Sequence, residues 1–120
     1  MRPTNLIALS VAAALSATNN GVAVDVSGFT GNGYVVLNSS ATGGAGQTSD
    51  VKLQHSDDGV SGWADTGVAF DQVTNAAASY QAKYVSLDQF KKYVRVVNTL
   101  GGSTPTVTAS VSLVGDKDQG

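Results

Sequence analysis

The strongest constraint in this chain is a period of two. In "KKYVRVVNTL" (91–100), Val94, Val96 and Asn98 stand opposite Tyr93, Arg95 and Val97. In "TVTASVSLVG" (106–115), Val107, Ala109, Val111 and Leu113 share one face and Thr and Ser the other. "VKLQHS" (51–56) sets Val51, Leu53 and His55 against Lys52, Gln54 and Ser56. Successive strand side chains point to opposite faces, so each segment buries one face and wets the other. "GVAVDVSGF" (21–29), "GYVVLNSS" (33–40) and "TGVAFDQV" (66–73) read as further short strands. "TNAAASYQAKYVSLD" (74–88) would tolerate a helical turn at its alanines. Tyr80, Ala82 and Tyr84 nevertheless alternate with Gln81, Lys83 and Val85, which predicts a loop followed by a strand. About eight short antiparallel strands with frequent turns describe an all-β sandwich or jelly roll.

Composition narrows the function classes. With 120 residues the chain forms one domain with a modest core. Charged residues make up 13%, Glu is absent, and Gly, Ser, Thr, Ala and Val dominate, which suits strands over long helices. A net charge of −2 and a pI near 4.9 argue against nucleic-acid binding, since only Lys91, Lys92 and Arg95 sit close together. Without cysteine there is no disulfide frame and no thiolate metal site.

The N-terminus supports two readings. "MRPTNLIALSVAAALSATNN" has one Arg, an apolar stretch and small residues near Ser16 and Ala17, the outline of a secretory signal. Its odd positions Ile7, Leu9, Val11, Ala13 and Leu15 also fit a strand with one apolar face. We expect the stretch to be retained. It is too short to span a bilayer as a helix. The expected organisation is an extended, partner-docking N-terminal segment (1–20), a β-sandwich (21–115) and a short tail (116–120).

The one dense cluster of chemical side chains is "LQHSDDGVSGWADTG" (53–67), which holds the only His and the only Trp. His55, Asp57, Asp58 and Asp65 do not match an EF-hand, which closes with Glu, and a zinc site wants more than one His or Cys. No G-x-S-x-G elbow accompanies the many serines. Asp57 and Asp58 are adjacent and would point opposite ways on a strand, unlike a glycosidase pair. These features predict no catalytic residue, no metal and no cofactor. Asp-Gly favours the positive φ of tight turns, so Asp58 and Gly59 are expected to turn the chain after His55. Trp63 is expected to fold back over the core. Trp63, Tyr80, Tyr84 and Tyr93 are also the aromatic residues available to a sugar-stacking platform.

"VDVSGF" (24–29), "VKLQHSDDGVSGWADTG" (51–67), "KKYVRVVNTLGG" (91–102) and the closing alternating strand, in that order, resemble a family of small tailed-phage and prophage head proteins. Its members carry an early "VDL-x-GF"-like strand, a "LQ-S-DDG-x-x-F/W-x-D" turn and a "K-R-Y-V-R-V" strand. The resemblance covers residues 22 to 115, with "KKYVR" where the family often has "KRYVR". It implies a capsid decoration (cement) protein on the outer surface of the virion, bound to the major capsid protein and acting as a homo-oligomer, a trimer by preference. Partner contacts are expected at Leu6, Ile7, Leu9, Val11 and Leu15, and at Gly43, Gly44 and Gln47 of the unpatterned 40–50 loop. Asp58, Gly59, Trp63 and Tyr93 are expected to be structural. A secreted carbohydrate-binding sandwich, which would make 1–17 a signal, and another minor virion component such as a tail protein are the alternatives.

Overall fold

Alternation becomes pairing in the computed structural model of the chain, which describes residues 4–15, 19–43, 46–102 and 106–117. The strands are β1 (Thr4–Leu15), β2 (Asn19–Asn20), β3 (Val24–Asp25), β4 (Phe29–Ser39), β5 (Thr48–Ser56), β6 (Ala64–Ala69), β7 (Val73–Thr74), β8 (Ser79–Ser86), β9 (Tyr93–Gly101) and β10 (Val107–Lys117). One 3₁₀ turn, Leu87–Gln89, is the only helical element among the described residues. The alanine-rich segment is loop and then strand, as its alternation predicts. "GVAVDVSGF" yields only the two residues of β3, because the chain turns at Ser27–Gly28.

Every pairing is antiparallel. One sheet runs β1-β10-β4-β8 and the other β2-β9-β5-β6, with β3 also on β9 and β7 also on β5. β2 and β3 flank β9 in succession, and β6 and β7 flank β5, so each couple acts as one interrupted strand. Eight strands then remain, and they pair first with last: β1 with β10, β2/β3 with β9, β4 with β8, β5 with β6/β7. That is one long hairpin rolled up, with the added contacts β10·β4 and β9·β5 closing two four-strand layers. The architecture is a jelly-roll β-sandwich.

The inward faces are those the alternation marks. Leu9, Val35, Leu37, Val111 and Leu113 come from one sheet and Val51, Leu53, Val94 and Val96 from the other, all buried. Each such side chain contributes roughly 1.5–3 kcal/mol by leaving water. Val26, Phe29 and Leu87 close one end of the sandwich. Near the other end a buried polar pair is satisfied internally, Ser49 Oγ donating to Asn98 Oδ1 at 2.8 Å.

Leu87 needs a notch. Gly33 of β4 and Gly115 of β10 face each other across the ladder, and a Cβ on either would collide with the Leu87 side chain. A Cβ on Gly33 would also overlap the Val114 carbonyl, which cannot rotate away. These two glycines are therefore holes in the sheet, filled by a residue from the 3₁₀ turn.

The expected boundary between a docking segment and the sandwich does not coincide with a break in the fold. β1 is an edge strand of the first sheet, aligned with β10 from Thr4↔Asp116 to Leu15↔Val107, and Leu9 is 1% exposed in the common core. The expected separation of a docking segment (1–20) from the sandwich is corrected for residues 4–15, which are a strand of the sandwich itself. Leu9→Ala should lower unfolding free energy by about 3 kcal/mol, as Leu→Ala does in other cores, measured by urea denaturation of the full chain. Wild-type stability in this variant would mean that β1 is not part of the core. Gly33→Ala should cost about 2 kcal/mol by overpacking against backbone. Gly115→Ala should cost less, because Leu87 can swing aside.

Candidate functional site

The 53–67 stretch closes on itself. Ser56, fully buried at the end of β5, accepts the N–H groups of Asp58 and Gly59 on its Oγ, which lies 2.5 Å from the Ser61 carbonyl. Asp58 Oδ1 accepts the N–H groups of Val60 and Ser61, both at 2.9 Å, and the Ser61 hydroxyl donates to Oδ2. Those bonds, the Ser61 and Val60 amides foremost, hold the Asp58 carboxyl well below the usual carboxylate range. Gly59 has φ +74 and lies against the Tyr93 ring, so both its backbone and its missing Cβ are required. His55 Nδ1 accepts the Lys91 N–H at 3.2 Å, tying β5 to the approach of β9. Burial, then the nearby Lys91 charge, lowers the His55 pKa, and Asp57 opposes the shift. Among the described residues no group of three or more His, Cys, Asp or Glu could hold a metal ion. The cluster is a corner braced by its own side chains.

Trp63 departs from expectation. It is half-buried and outside the core cluster, and the Arg95 guanidinium lies 4.4 Å over its ring. The reason is register: Gln54 pairs with Arg95 on one side and Asp65 on the other, so all three share the outer face of the second sheet. Arg95 donates twice to Gln54 Oε1, at 3.1 and 2.7 Å. Gln54 Nε2 donates to Asp65 Oδ1 at 3.0 Å, and Lys52 Nζ pairs with the same carboxylate at 3.0 Å. The Gln54 bond first, then Lys52, lowers the Asp65 pKa. This face is a polar ladder in which each charge has its partner.

The outer face of the first sheet is the opposite. Tyr34, Val36 and Asn38 of β4 pair with Tyr84, Ala82 and Tyr80 of β8, and with Val114, Ser112 and Ser110 of β10. Tyr80, Tyr84 and Tyr34 are 72%, 65% and 48% exposed. Tyr34 and Tyr84 meet edge to face with centroids 5.2 Å apart. None of these nine residues carries a formal charge. A cluster of exposed aromatic rings of this kind is the candidate interaction surface. Tyr80 and Tyr84 are among the aromatic residues named from the sequence, whereas Trp63 is covered by Arg95 and Tyr93 rests on Gly59. Tyr34 was missed, although its alternation with Val35 places it outward.

Of the four expected contact residues whose side chains or exposure are described, three are turned inward. Leu9 is in the core and Ile7 packs against it. Gln47 is 8% exposed and its Oε1 accepts the Thr106 N–H, bracing the loop it was expected to present. Gly43 is exposed, with its N–H bonded to the Thr106 carbonyl. Gly44 lies outside the described residues, as do the side chains of Leu6, Val11 and Leu15.

No protein-family model and no curated protein matches the chain. The tailed-phage resemblance therefore rests on its motifs. Among solved structures, the chain is similar to a chain of the structure of infectious bursal disease virus, Gx strain, with 11% identity and a TM-score of 0.52. The match covers 98% of this chain and 32% of that one, so the present chain spans about a third of its length. At that identity the likeness is one of fold.

The Asp58 corner gives a pH signature. Its carboxyl is depressed in the folded state, so its contribution is complete above the unfolded value of about 3.9 and is lost as pH falls further. Asp58→Asn should melt at a lower temperature than wild type at pH 7, and the gap should narrow below pH ~4. Thermal melts monitored by circular dichroism across pH 2.5–7 are the check. A gap independent of pH would remove the carboxylate from the account.

Proposed function

We propose that this chain is a structural protein of a virus particle that attaches to the outside of a capsid and reinforces it. The observation that carries the reading is the contrast between faces: one polar and internally paired, the other an uncharged field of three exposed tyrosines. Tyr is enriched at protein interfaces and carries much of their energy. The jelly roll is an architecture used by viral capsid domains, and the fold likeness to a chain of a virus structure supports the same assignment. The motif resemblance to small phage head proteins supplies the decoration role. Attachment runs through the tyrosine face rather than a free N-terminal arm, because Leu9 is already spent inside the sandwich. Each copy would bury on the order of 800 Å² per partner, and repetition over a lattice sums these contacts.

Particles purified from a culture that makes the protein should contain it in the head fraction at a fixed ratio to the major capsid subunit. Added to undecorated heads, it should raise their rupture temperature. Tyr80→Ser/Tyr84→Ser should fold normally, both rings being exposed, yet attach at least tenfold more weakly. Absence from particles, or recovery with tails alone, would overturn the assignment.

The same tyrosines favour a second reading, a glycan-binding module, since sugar rings stack on exposed aromatic faces and jelly rolls also build lectin domains. Quenching of tyrosine fluorescence by soluble glycans, with no attachment to heads, would select it.

A further inference from the structure

Between the free edges of the two sheets runs a groove of about 490 Å³, lined by Thr66, Val68, Lys83, Val85, Ser86 and Gln89 among others. Its walls are the edge strands β6 and β8. Exposed strand edges offer unpaired N–H and C=O groups to any extended chain, and proteins usually blunt them. β6 is blunted. Residues 66–68 stand opposite Leu53 alone, a bulge centred on Gly67 with φ +90. Thr66 Oγ1 holds the bulge, donating to the Leu53 carbonyl and accepting the Val68 N–H. β8 is not blunted in this way. It runs in unbroken register with β4 from Asn32↔Ser86 to Ser39↔Ser79, and its far edge has no partner strand among the described residues.

Lys83 guards that edge. It pairs with the core residue Val35, so it faces inward into the groove, where it is half-buried. The ion pairs among the described residues are Lys52–Asp65 and Lys91–Asp57, and Lys83 takes part in neither. Every other residue lining the groove is uncharged. A neutral or basic strand laid along β8 would bury this ammonium without compensation, a costly arrangement. A strand with a carboxylate opposite it would form an ion pair and gain the backbone ladder as well.

We propose that the free edge of β8 accepts an extended strand of a partner chain that carries an Asp or Glu facing Lys83. Small apolar residues two positions to either side would stand opposite Val85 and Gln81, with Val68 of β6 facing them across the groove. The lysine thus acts as a selectivity element, rejecting indiscriminate edge pairing and admitting an acidic strand. The proposal does not depend on the virion assignment; it uses the edge of β8 rather than its outer face, the two meeting at Tyr84.

The test uses the full chain, isotopically labelled, and the blocked peptide Thr-Val-Thr-Asp-Thr-Val-Thr. Its amide perturbations should map to residues 80–86, and the peptide should bind at least tenfold more tightly than the same sequence with Lys in place of Asp. Lys83→Glu, checked for folding by its amide spectrum, should invert that preference. Lys83→Met should abolish it while leaving the amide spectrum of Gln54, Asp65 and Arg95, on the far face of the second sheet, unchanged. Equal binding of both peptides, perturbations confined to another face, or no binding of either peptide at millimolar concentration would overturn the proposal.

Discussion

The whole sandwich depends on β10 lying between β1 and β4. Leu113 pairs with Ile7 on one side and Val35 on the other, and all three sit in or against the core. The last described strand therefore joins the first across nearly the whole chain, and the first sheet is not complete before it does so. β9 plays the same part in the second sheet, between β2/β3 and β5. Pairings of such long sequence separation place the domain in the slow-folding, high-contact-order regime typical of β-sandwiches. They also make β1 inseparable from the fold, since removing it would strip one side of β10 and uncover Leu113.

The rolled hairpin determines which outer face is available. Register places Lys52, Gln54, Asp65 and Arg95 together on the second sheet, where opposite charges and a shared amide satisfy one another. The equivalent positions of the first sheet hold Tyr34, Tyr80, Tyr84, Val36 and Ala82, which have no charged partner in that face. Exposed ion pairs such as Lys52–Asp65 add little stability individually. Together with the Gln54 and Trp63 contacts of Arg95, they leave the charged groups of that ladder engaged within the chain.

How much of this is legible in the sequence follows from which interactions are local. β5, β8, β9 and β10 are visible because each alternates within itself, and Asp58–Gly59 is visible because a turn's requirements are contiguous. β1 alternates too, yet the same apolar stretch outlines a secretory signal, so the favoured strand reading has a rival there, and the register shifts near Ser10 are set only by β10. Trp63 was misplaced because its environment is set by Arg95, a residue of another strand brought alongside by the Gln54 register. Gln47 misleads for the same reason: a polar residue in a Gly-rich loop reads as exposed until Thr106 arrives to bond it. The Gly33–Gly115 notch has no local signature, since neither glycine has a positive φ and their meaning lies in Leu87.

The open side of the sandwich shows how the core shapes an edge. The chain leaves β6, crosses between the layers and enters β8, and the crossing is anchored by Phe70 and Val73, both buried, with the Phe70 N–H donating to the Val51 carbonyl at 2.9 Å. Gln81 then clamps Asp71 across the gap, its Oε1 accepting the Asp71 N–H at 2.8 Å and its Nε2 donating to the carbonyl at 3.0 Å. These contacts fix the distance between the edges of β6 and β8 just beside Lys83. Loops alone would let the gap breathe, and a single inward lysine could then evade an unmatched strand by moving into solvent. Because buried side chains set the spacing, the strand that carries Lys83 keeps its place opposite β6. A lone ammonium can discriminate between incoming strands only where its position is set in this way.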